Sequence, residues 1–233
     1  MRNTAALTRG TVAVSLAMCG VLTVVAVLLM PDFSGGEVEW LQAIAGAPTA
    51  AAVSAMLFVT SQLAFAVGLA GVAHVVRDRT PVLAALGATF AVLGAFGHAV
   101  YGGVNLVMLK MAEDATNRGA HADVLTDVGS GPAIPFMVMG LLGTILGLVL
   151  LGIAVWRAGL GPSWLGPVLV LFVLVEFIGA GFSVWAGYAS GLLFLVGFLA
   201  LALAVSRSSD AVWTTAAESP SQQPEGRSAL ALD

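Results

Sequence analysis

The sequence predicts an all-α fold, a polytopic membrane bundle of about six transmembrane helices. Three observations lead to this prediction: 59% of the 233 residues are hydrophobic, only 9% are charged, and the mean hydropathy is +0.99. Soluble domains carry roughly 25% charged residues, so a surface this poor in charge is typical of a protein that contacts lipid. Strands of a membrane barrel would alternate apolar and polar residues over about ten positions. The apolar runs here are continuous, which favours helices that satisfy their own backbone hydrogen bonds.

Six apolar segments are long enough, or nearly so, to cross the roughly 30 Å of hydrocarbon that takes about twenty helical residues. The last two segments would merge into one helix of about forty residues, far longer than a crossing needs, unless the chain turns in the glycine-containing stretch 187–191. We therefore predict one transmembrane domain, 1–206, followed by a polar and disordered cytoplasmic tail, 207–233. The predicted spans are 11–30, 49–76, 82–108, 134–156, 165–186 and 192–206.

The basic residues predict the orientation of the bundle. With six crossings, Lys110 and Arg118 fall on one side of the membrane, and six arginines fall on the other. The positive-inside rule places the arginine-rich side, and with it both termini, in the cytoplasm. The richness in Ala, Gly and Val suggests a bacterial gene, so the expected location is the plasma (inner) membrane of a bacterial cell. The six arginines are Arg2, Arg9, Arg77, Arg79, Arg157 and Arg207.

Two ionisable residues lie deep in the predicted spans, where a charged group is costly and usually functional. Glu176 is about twelve residues into the fifth span, roughly 17 Å deep at 1.5 Å per residue. His98 lies roughly 25 Å from the cytoplasmic end of the third span. Since their depths differ by roughly 8 Å, a direct contact would need helix tilt or a water molecule between them.

Other polar residues share helix faces with these two groups, because residues three, four or seven apart stack on one side of a helix. Tyr101 and Asn105 lie on the face of His98, and Ser183 lies on the face of Glu176. In the outer half of the second span lie Ser61 and Gln62. We expect these faces to converge on a polar cavity that is open to the outside, between the second, third and fifth spans.

Small residues follow the same spacing and leave a structural alternative open. Stripes of glycine and alanine let helices approach closely in lipid, and polar groups then hydrogen-bond between the helices. On this alternative, the polar faces only hold the bundle together. The stripes are Gly87, Ala91 and Gly94 in the third span and Gly140, Gly143 and Gly147 in the fourth.

The sequence predicts no cofactor, no metal site and no catalytic residue. His74 and His98 lie near opposite ends of their spans, roughly 20 Å or more apart in depth, so they cannot both bind one haem. Cys19 is the single cysteine, which excludes an intrachain disulfide and a cysteine-based metal site. A hydrolase needs a nucleophile with a base, or several metal ligands at one depth. One glutamate and one histidine are too few, so we do not expect an enzyme.

Residues 152–166, GIAVWRAGLGPSWLG, carry a recognisable pattern: an aromatic–Arg–x–Gly turn ends one span, and a proline precedes a span that starts with Leu-Gly. This pattern resembles the DUF4386-like group of uncharacterised bacterial polytopic membrane proteins. The resemblance covers the last third of the chain, and Ser163 stands where that group often has a basic residue. It implies the multi-pass topology and no particular biochemical activity.

Two functional hypotheses follow. In the first, the protein binds or transports a small solute or proton through the polar cavity, with Glu176 as the protonatable group. In the second, it is a non-catalytic membrane subunit or scaffold, and its glycine faces pack against a partner protein or a second copy of the chain. The expected partners are thus the lipid bilayer, a small solute or proton, and a membrane protein or homo-oligomer. Nothing in the sequence predicts nucleic-acid binding.

Overall fold

A computed structural model describes residues 2–179 and 182–214, and within these ranges the chain is helical with no strand. This confirms the predicted fold class. Five of the helices (α1, α3, α4, α6 and α8) are long and apolar enough to cross a membrane. The helices are α1 (Arg2–Leu29), α2 (Glu37–Gly46), α3 (Pro48–Val76), α4 (Pro81–Glu113), α5 (Arg118–Gly129), α6 (Ile134–Ala158), α7 (Leu165–Phe177) and α8 (Val184–Ser206), and a 3-10 turn follows at Asp210–Val212.

The predicted fifth span, 165–186, and the predicted turn at 187–191 are wrong. Helix α7 ends at Phe177, and residues 187–191 lie inside α8. The Ser183 hydroxyl explains where α8 begins, because it accepts a hydrogen bond from the backbone N–H of Trp185, at 3.3 Å, and so caps the helix. With thirteen residues, α7 is about 20 Å long, which is shorter than the hydrocarbon layer of about 30 Å.

The helices are arranged in a ring. Each packs against the next in the order α1, α3, α4, α6, α7, α8, and α8 packs back against α1. Fully buried side chains from different helices meet inside this ring, among them Leu16, Leu69, Leu151, Leu169 and Phe198. We call the end of the ring that carries α2 and α5 the loop end. The opposite end, which carries the arginines at the starts of α1 and α4 and the ends of α3 and α6, is called the arginine end.

Two short helices lie in connections where the sequence predicts no helix. Helix α2 lies between α1 and α3, and α5 lies between α4 and α6. The first turn of α2 is held by the Glu39 carboxylate, which accepts a hydrogen bond from the backbone N–H of Gly36 at 3.1 Å. This carboxylate lies at a helix N-terminus, where the helix dipole favours negative charge. Leu41 and Ile44 of α2 are buried against Met108 of α4. The two short helices therefore cover the loop end of the bundle.

Helices α4 and α6 approach so closely that their backbones nearly touch. A β-carbon added to Gly94 would lie 2.5 Å from the backbone nitrogen of Thr144, and one added to Gly147 would lie 2.6 Å from that of Ala91. No real side chain fits at such distances. The small residues of α4 and α6 thus pack against each other within one chain, as small residues commonly do in membranes.

At the arginine end, the chain after α8 folds back onto the bundle. The Arg9 guanidinium forms an ion pair with Asp210 at 2.7 Å and donates a hydrogen bond to the backbone carbonyl of Ser208 at 2.8 Å. The indole ring of Trp213 stacks on the imidazole of His74, with ring centroids 5.1 Å apart. These contacts join α1, α3 and the segment that follows α8.

The prediction that 207–233 is disordered is therefore wrong for residues 207–214. The stacking and ion-pair partners of these residues lie far away in sequence, on α1 and α3, so the composition of the tail does not reveal them. The rest of the tail, 215–233, lies outside the described residues.

Replacement of Gly94 tests the contact between α4 and α6. We expect Gly94→Ala to destabilise the protein by about 1–3 kcal/mol, because the added methyl group overlaps the α6 backbone. The matched control is Gly103→Ala on the same helix, where a β-carbon would meet nothing within 4 Å. The control should leave stability unchanged or slightly raised, because alanine is the better helix former. Thermal unfolding of the purified protein in detergent measures both. Equal melting temperatures for the two variants would contradict this packing.

Replacement of Trp213 tests the contact at the arginine end. In Trp213→Ala the stack on His74 is lost, so we expect trypsin to cleave after Arg207 faster than in the wild type. Trp164→Ala is the control, since Trp164 is exposed between α6 and α7. Its cleavage rate after Arg207 should match that of the wild type. If both variants are cleaved at the wild-type rate, the stack does not hold the segment in place.

Candidate functional site

A cavity of about 680 Å³ lies at the loop end of the ring. Its walls come from the end of α1, the beginnings of α3 and α6, the second half of α4, and one residue of α7, Glu176. Most of the lining is apolar. The larger apolar side chains of the wall include Val27, Met30, Phe58, Met137, Val138 and Leu141.

Glu176 reaches the cavity from the last turn of α7. It is the penultimate residue of that helix, and its carboxyl group accepts a hydrogen bond from the Ser190 hydroxyl of α8. Because α8 begins at Val184, it continues about 9 Å past Ser190 toward the loop end. Glu176 is half-buried and lines the cavity.

His98 lines the same cavity from α4. Its ring is half-buried, and its Nδ1 atom lies 3.1 Å from the Thr144 hydroxyl of α6, within hydrogen-bond distance. The ring of Phe58 lies edge-on to the imidazole, with centroids 6.0 Å apart. These neighbours fix the orientation of His98. Its hydrogen-bond partner differs from that of Glu176, so the two ionisable groups share a cavity without being paired to each other.

Tyr101 and Asn105 also line the cavity. They follow His98 by about one and two turns of α4 toward the loop end. The structure therefore brings together four of the seven predicted polar site residues: Glu176, His98, Tyr101 and Asn105.

The other three predicted site residues do not line the cavity. Ser61 and Gln62 are buried in α3 and bond locally: the Ser61 hydroxyl donates to the carbonyl of Phe58 at 2.7 Å, and the Gln62 amide donates to Ser61 at 3.2 Å. Ser183 is exposed and caps α8. It does not share a face with Glu176, because the chain leaves the helix between them.

The contributions of α1 and α6 to the cavity, alongside those of α3, α4 and α7, are not predicted by the sequence. Their lining residues are apolar, and an apolar residue that faces a cavity looks the same in sequence as one that faces lipid. Ser54 is a partial exception. This serine of α3 lines the cavity and donates its hydroxyl hydrogen to the carbonyl of Ala26 in α1, at 2.7 Å.

The loop end is rich in carboxylates. Two of them have a pKa below the usual range for aspartate: that of Asp114 is lowered by hydrogen bonds from the side chain and backbone of Asn117, and that of Asp32 by hydrogen bonds from Ser34. Both groups therefore stay ionised at neutral pH. The loop end of the bundle carries seven acidic and two basic residues. The acidic ones are Asp32, Glu37, Glu39, Glu113, Asp114, Asp123 and Asp127, and the basic ones are Lys110 and Arg118.

Comparison with known proteins finds no matching family model, no similar curated protein and no similar solved structure. The resemblance of residues 152–166 to the DUF4386-like group stays a prediction.

Replacement of Ser190 tests the contact that holds Glu176. In Ser190→Ala the carboxyl group loses a partner in a partly buried site, and such a loss costs about 1–3 kcal/mol. The control is Ser206→Ala on the same helix, because the exposed Ser206 hydroxyl bonds only to the nearby carbonyl of Leu203. We expect a lower melting temperature in detergent for Ser190→Ala alone. A similar loss in both variants would show that the Glu176 contact contributes nothing particular to stability.

Proposed function

We propose that the protein binds a small solute or proton in this cavity and carries it across the membrane, with Glu176 as the group that holds the proton. The observation that supports the proposal is that Glu176 and His98, from two helices, line one cavity together with Tyr101 and Asn105. Ionisable side chains in membrane helices are costly, and they commonly mark the path of an ion or proton. The proposal includes no catalytic step.

The Ser190 hydroxyl holds the carboxyl group of Glu176 in place. It donates a hydrogen bond to Glu176 from the neighbouring helix α8, and it also lies 2.8 Å from the carbonyl oxygen of Gly187. The group proposed to hold the proton is therefore fixed at the cavity by a contact between two helices.

The polar residues of α4 supply a path from Glu176 to the loop end. His98, Tyr101 and Asn105 are spaced about 4.5 and 6 Å apart along the helix axis. Each side chain both donates and accepts hydrogen bonds, so each can hold a polar group of a solute or a water molecule, and the imidazole of His98 can also bind and release a proton. Many transporters also bind their ions near the middle of the membrane, at the ends of interrupted helices.

The packing of the small residues favours this proposal over the scaffold hypothesis. That hypothesis needs glycine faces that are free to receive a partner. The glycines of the two predicted stripes are instead packed inside the chain: Gly94 faces Thr144, and Gly147 faces Ala91.

We propose further that the protein lies in the plasma (inner) membrane of a bacterial cell with its arginine end in the cytoplasm. Arg9 and Arg77 both lie at that end, together with the segment after α8. The positive-inside rule supports this orientation, and the composition supports the bacterial assignment. The cavity then faces the outside of the cell.

Labelling with dicyclohexylcarbodiimide tests the proton site. This apolar reagent adds to protonated carboxylic acids in apolar surroundings. We expect mass spectrometry to find the label on Glu176 of the protein in lipid nanodiscs, increasingly as the pH is lowered. Glu113, which is exposed and paired with Lys110 at 2.7 Å, should remain unlabelled. Absence of label from Glu176 at every pH would overturn the proposal.

A flux measurement extends the same test to transport. In liposomes that contain a pH-sensitive dye, the wild-type protein should dissipate an imposed pH gradient faster than protein-free liposomes do. We expect Glu176→Gln to reduce this flux to the protein-free rate, and Glu113→Gln to leave it unchanged. A Glu176→Gln flux equal to that of the wild type at all pH values would remove Glu176 from the mechanism.

A further inference from the structure

We propose that the ligand of the cavity is a lipophilic cation, an apolar organic molecule that carries one positive charge and replaces the proton on Glu176. This inference rests on the proposed function and names the substrate class of the same site. Three independent features of the cavity lead to it: its size and lining, its charges, and its aromatic rings.

The size and lining suit an organic molecule better than a bare ion. A volume of about 680 Å³ falls within the range of roughly 300–1,000 Å³ that holds drug-sized ligands. Met30, Met137 and Leu141 give the walls an apolar and adaptable surface. A metal ion with its hydration shell would leave most of these walls in contact with water. An apolar ligand body would cover them.

The charges favour a cation. Glu176 is the one carboxylate among the described residues that line the cavity. It lies in the last turn of α7, where the dipole of the helix adds partial negative charge. Outside the cavity, the acidic residues of the loop end exceed the basic ones. A cleft whose surroundings carry one sign of charge raises the local concentration of the opposite sign.

Aromatic rings supply a second feature that points to the same ligand. Phe33, Phe58, Tyr101 and Phe136 come from different parts of the chain and all line the cavity. The face of an aromatic ring attracts a cation, most strongly when the cation is not fully hydrated. Rings of this kind bind organic cations without the need for a second carboxylate. An organic anion would find no lysine or arginine side chain on the described walls.

One carboxylate can neutralise either a proton or a bound cation, so the two compete. When Glu176 is protonated, the cation in an apolar cavity has no counter-charge, which is unfavourable. Two other titratable groups line the cavity, His98 and Tyr101 of α4. A proton on His98 would also repel the ligand, so it acts in the same direction. Among the described residues of the helices packed against α7, the ionisable groups lie elsewhere: Arg157 of α6 at the arginine end, and Tyr188 exposed on α8.

Tetraphenylphosphonium and tetraphenylborate provide the test, because they have nearly the same size and shape and opposite charge. Binding of each to the full-length protein in nanodiscs of zwitterionic lipid is measured by equilibrium dialysis, and binding to empty nanodiscs is subtracted. We expect saturable binding of the phosphonium that weakens by about tenfold per pH unit once Glu176 is protonated. We expect no saturable binding of the borate.

The matched variants are Glu176→Gln and Glu113→Gln, which remove the same charge inside and outside the cavity. The first should weaken phosphonium binding at least tenfold and reduce its pH dependence to the part that His98 supplies, and the second should change neither. If Glu176→Gln binds the phosphonium as the wild type does, with the same pH dependence, the role given to Glu176 here is wrong. Equal binding of the borate and the phosphonium would overturn the inference as well.

A further measurement uses only the wild-type protein, so its result does not depend on whether a variant folds. Phosphonium that occupies the cavity should slow the carbodiimide labelling of Glu176, and borate should not. If saturating phosphonium leaves the labelling rate unchanged, the proposal that the ligand is a lipophilic cation is wrong, whereas the proposal that Glu176 holds a proton is not affected. Absence of labelling without any ligand would instead remove the proposed function itself, so the two failures are distinguishable.

Discussion

The close contact between α4 and α6 is the constraint on which the rest of the structure depends. In lipid there is no hydrophobic drive to bring helices together, so close van der Waals packing has to supply the attraction. Gly94 and Gly147 permit an approach that a single methyl group would prevent. This approach places Thr144 beside the ring of His98 and brings the beginning of α6 to the wall of the cavity. The glycine contact between α4 and α6 thus also sets the geometry around His98.

The second determinant is the length of α7. Because α7 ends at Phe177 and Ser183 caps a new helix, Glu176 lies in the last turn of a helix and not in the middle of one. There its carboxyl group contacts the Ser190 hydroxyl of α8 and lines the cavity.

The two ends of the bundle differ in charge and in how they are closed. At the arginine end, the ion pair between Arg9 and Asp210 and the stack of Trp213 on His74 hold the segment after α8 against α1 and α3. At the loop end, acidic residues outnumber basic ones, and α2 and α5 lie across it. The two ends of the bundle therefore carry opposite charge.

The sequence by itself determined the helical fold and three spans that agree with α3, α4 and α6 to within five residues, whereas α1 begins at Arg2 and not at residue 11. It also singled out the two ionisable groups Glu176 and His98. These follow from hydropathy and from the cost of charge in lipid, which act on each residue separately. The tertiary structure alone decided the length of α7 and the presence of α2 and α5. It also decided that residues 207–214 fold back onto the bundle and which apolar side chains line the cavity. These depend on contacts between residues far apart in the chain. An apolar side chain looks the same in sequence whether it faces lipid, a neighbouring helix or a ligand.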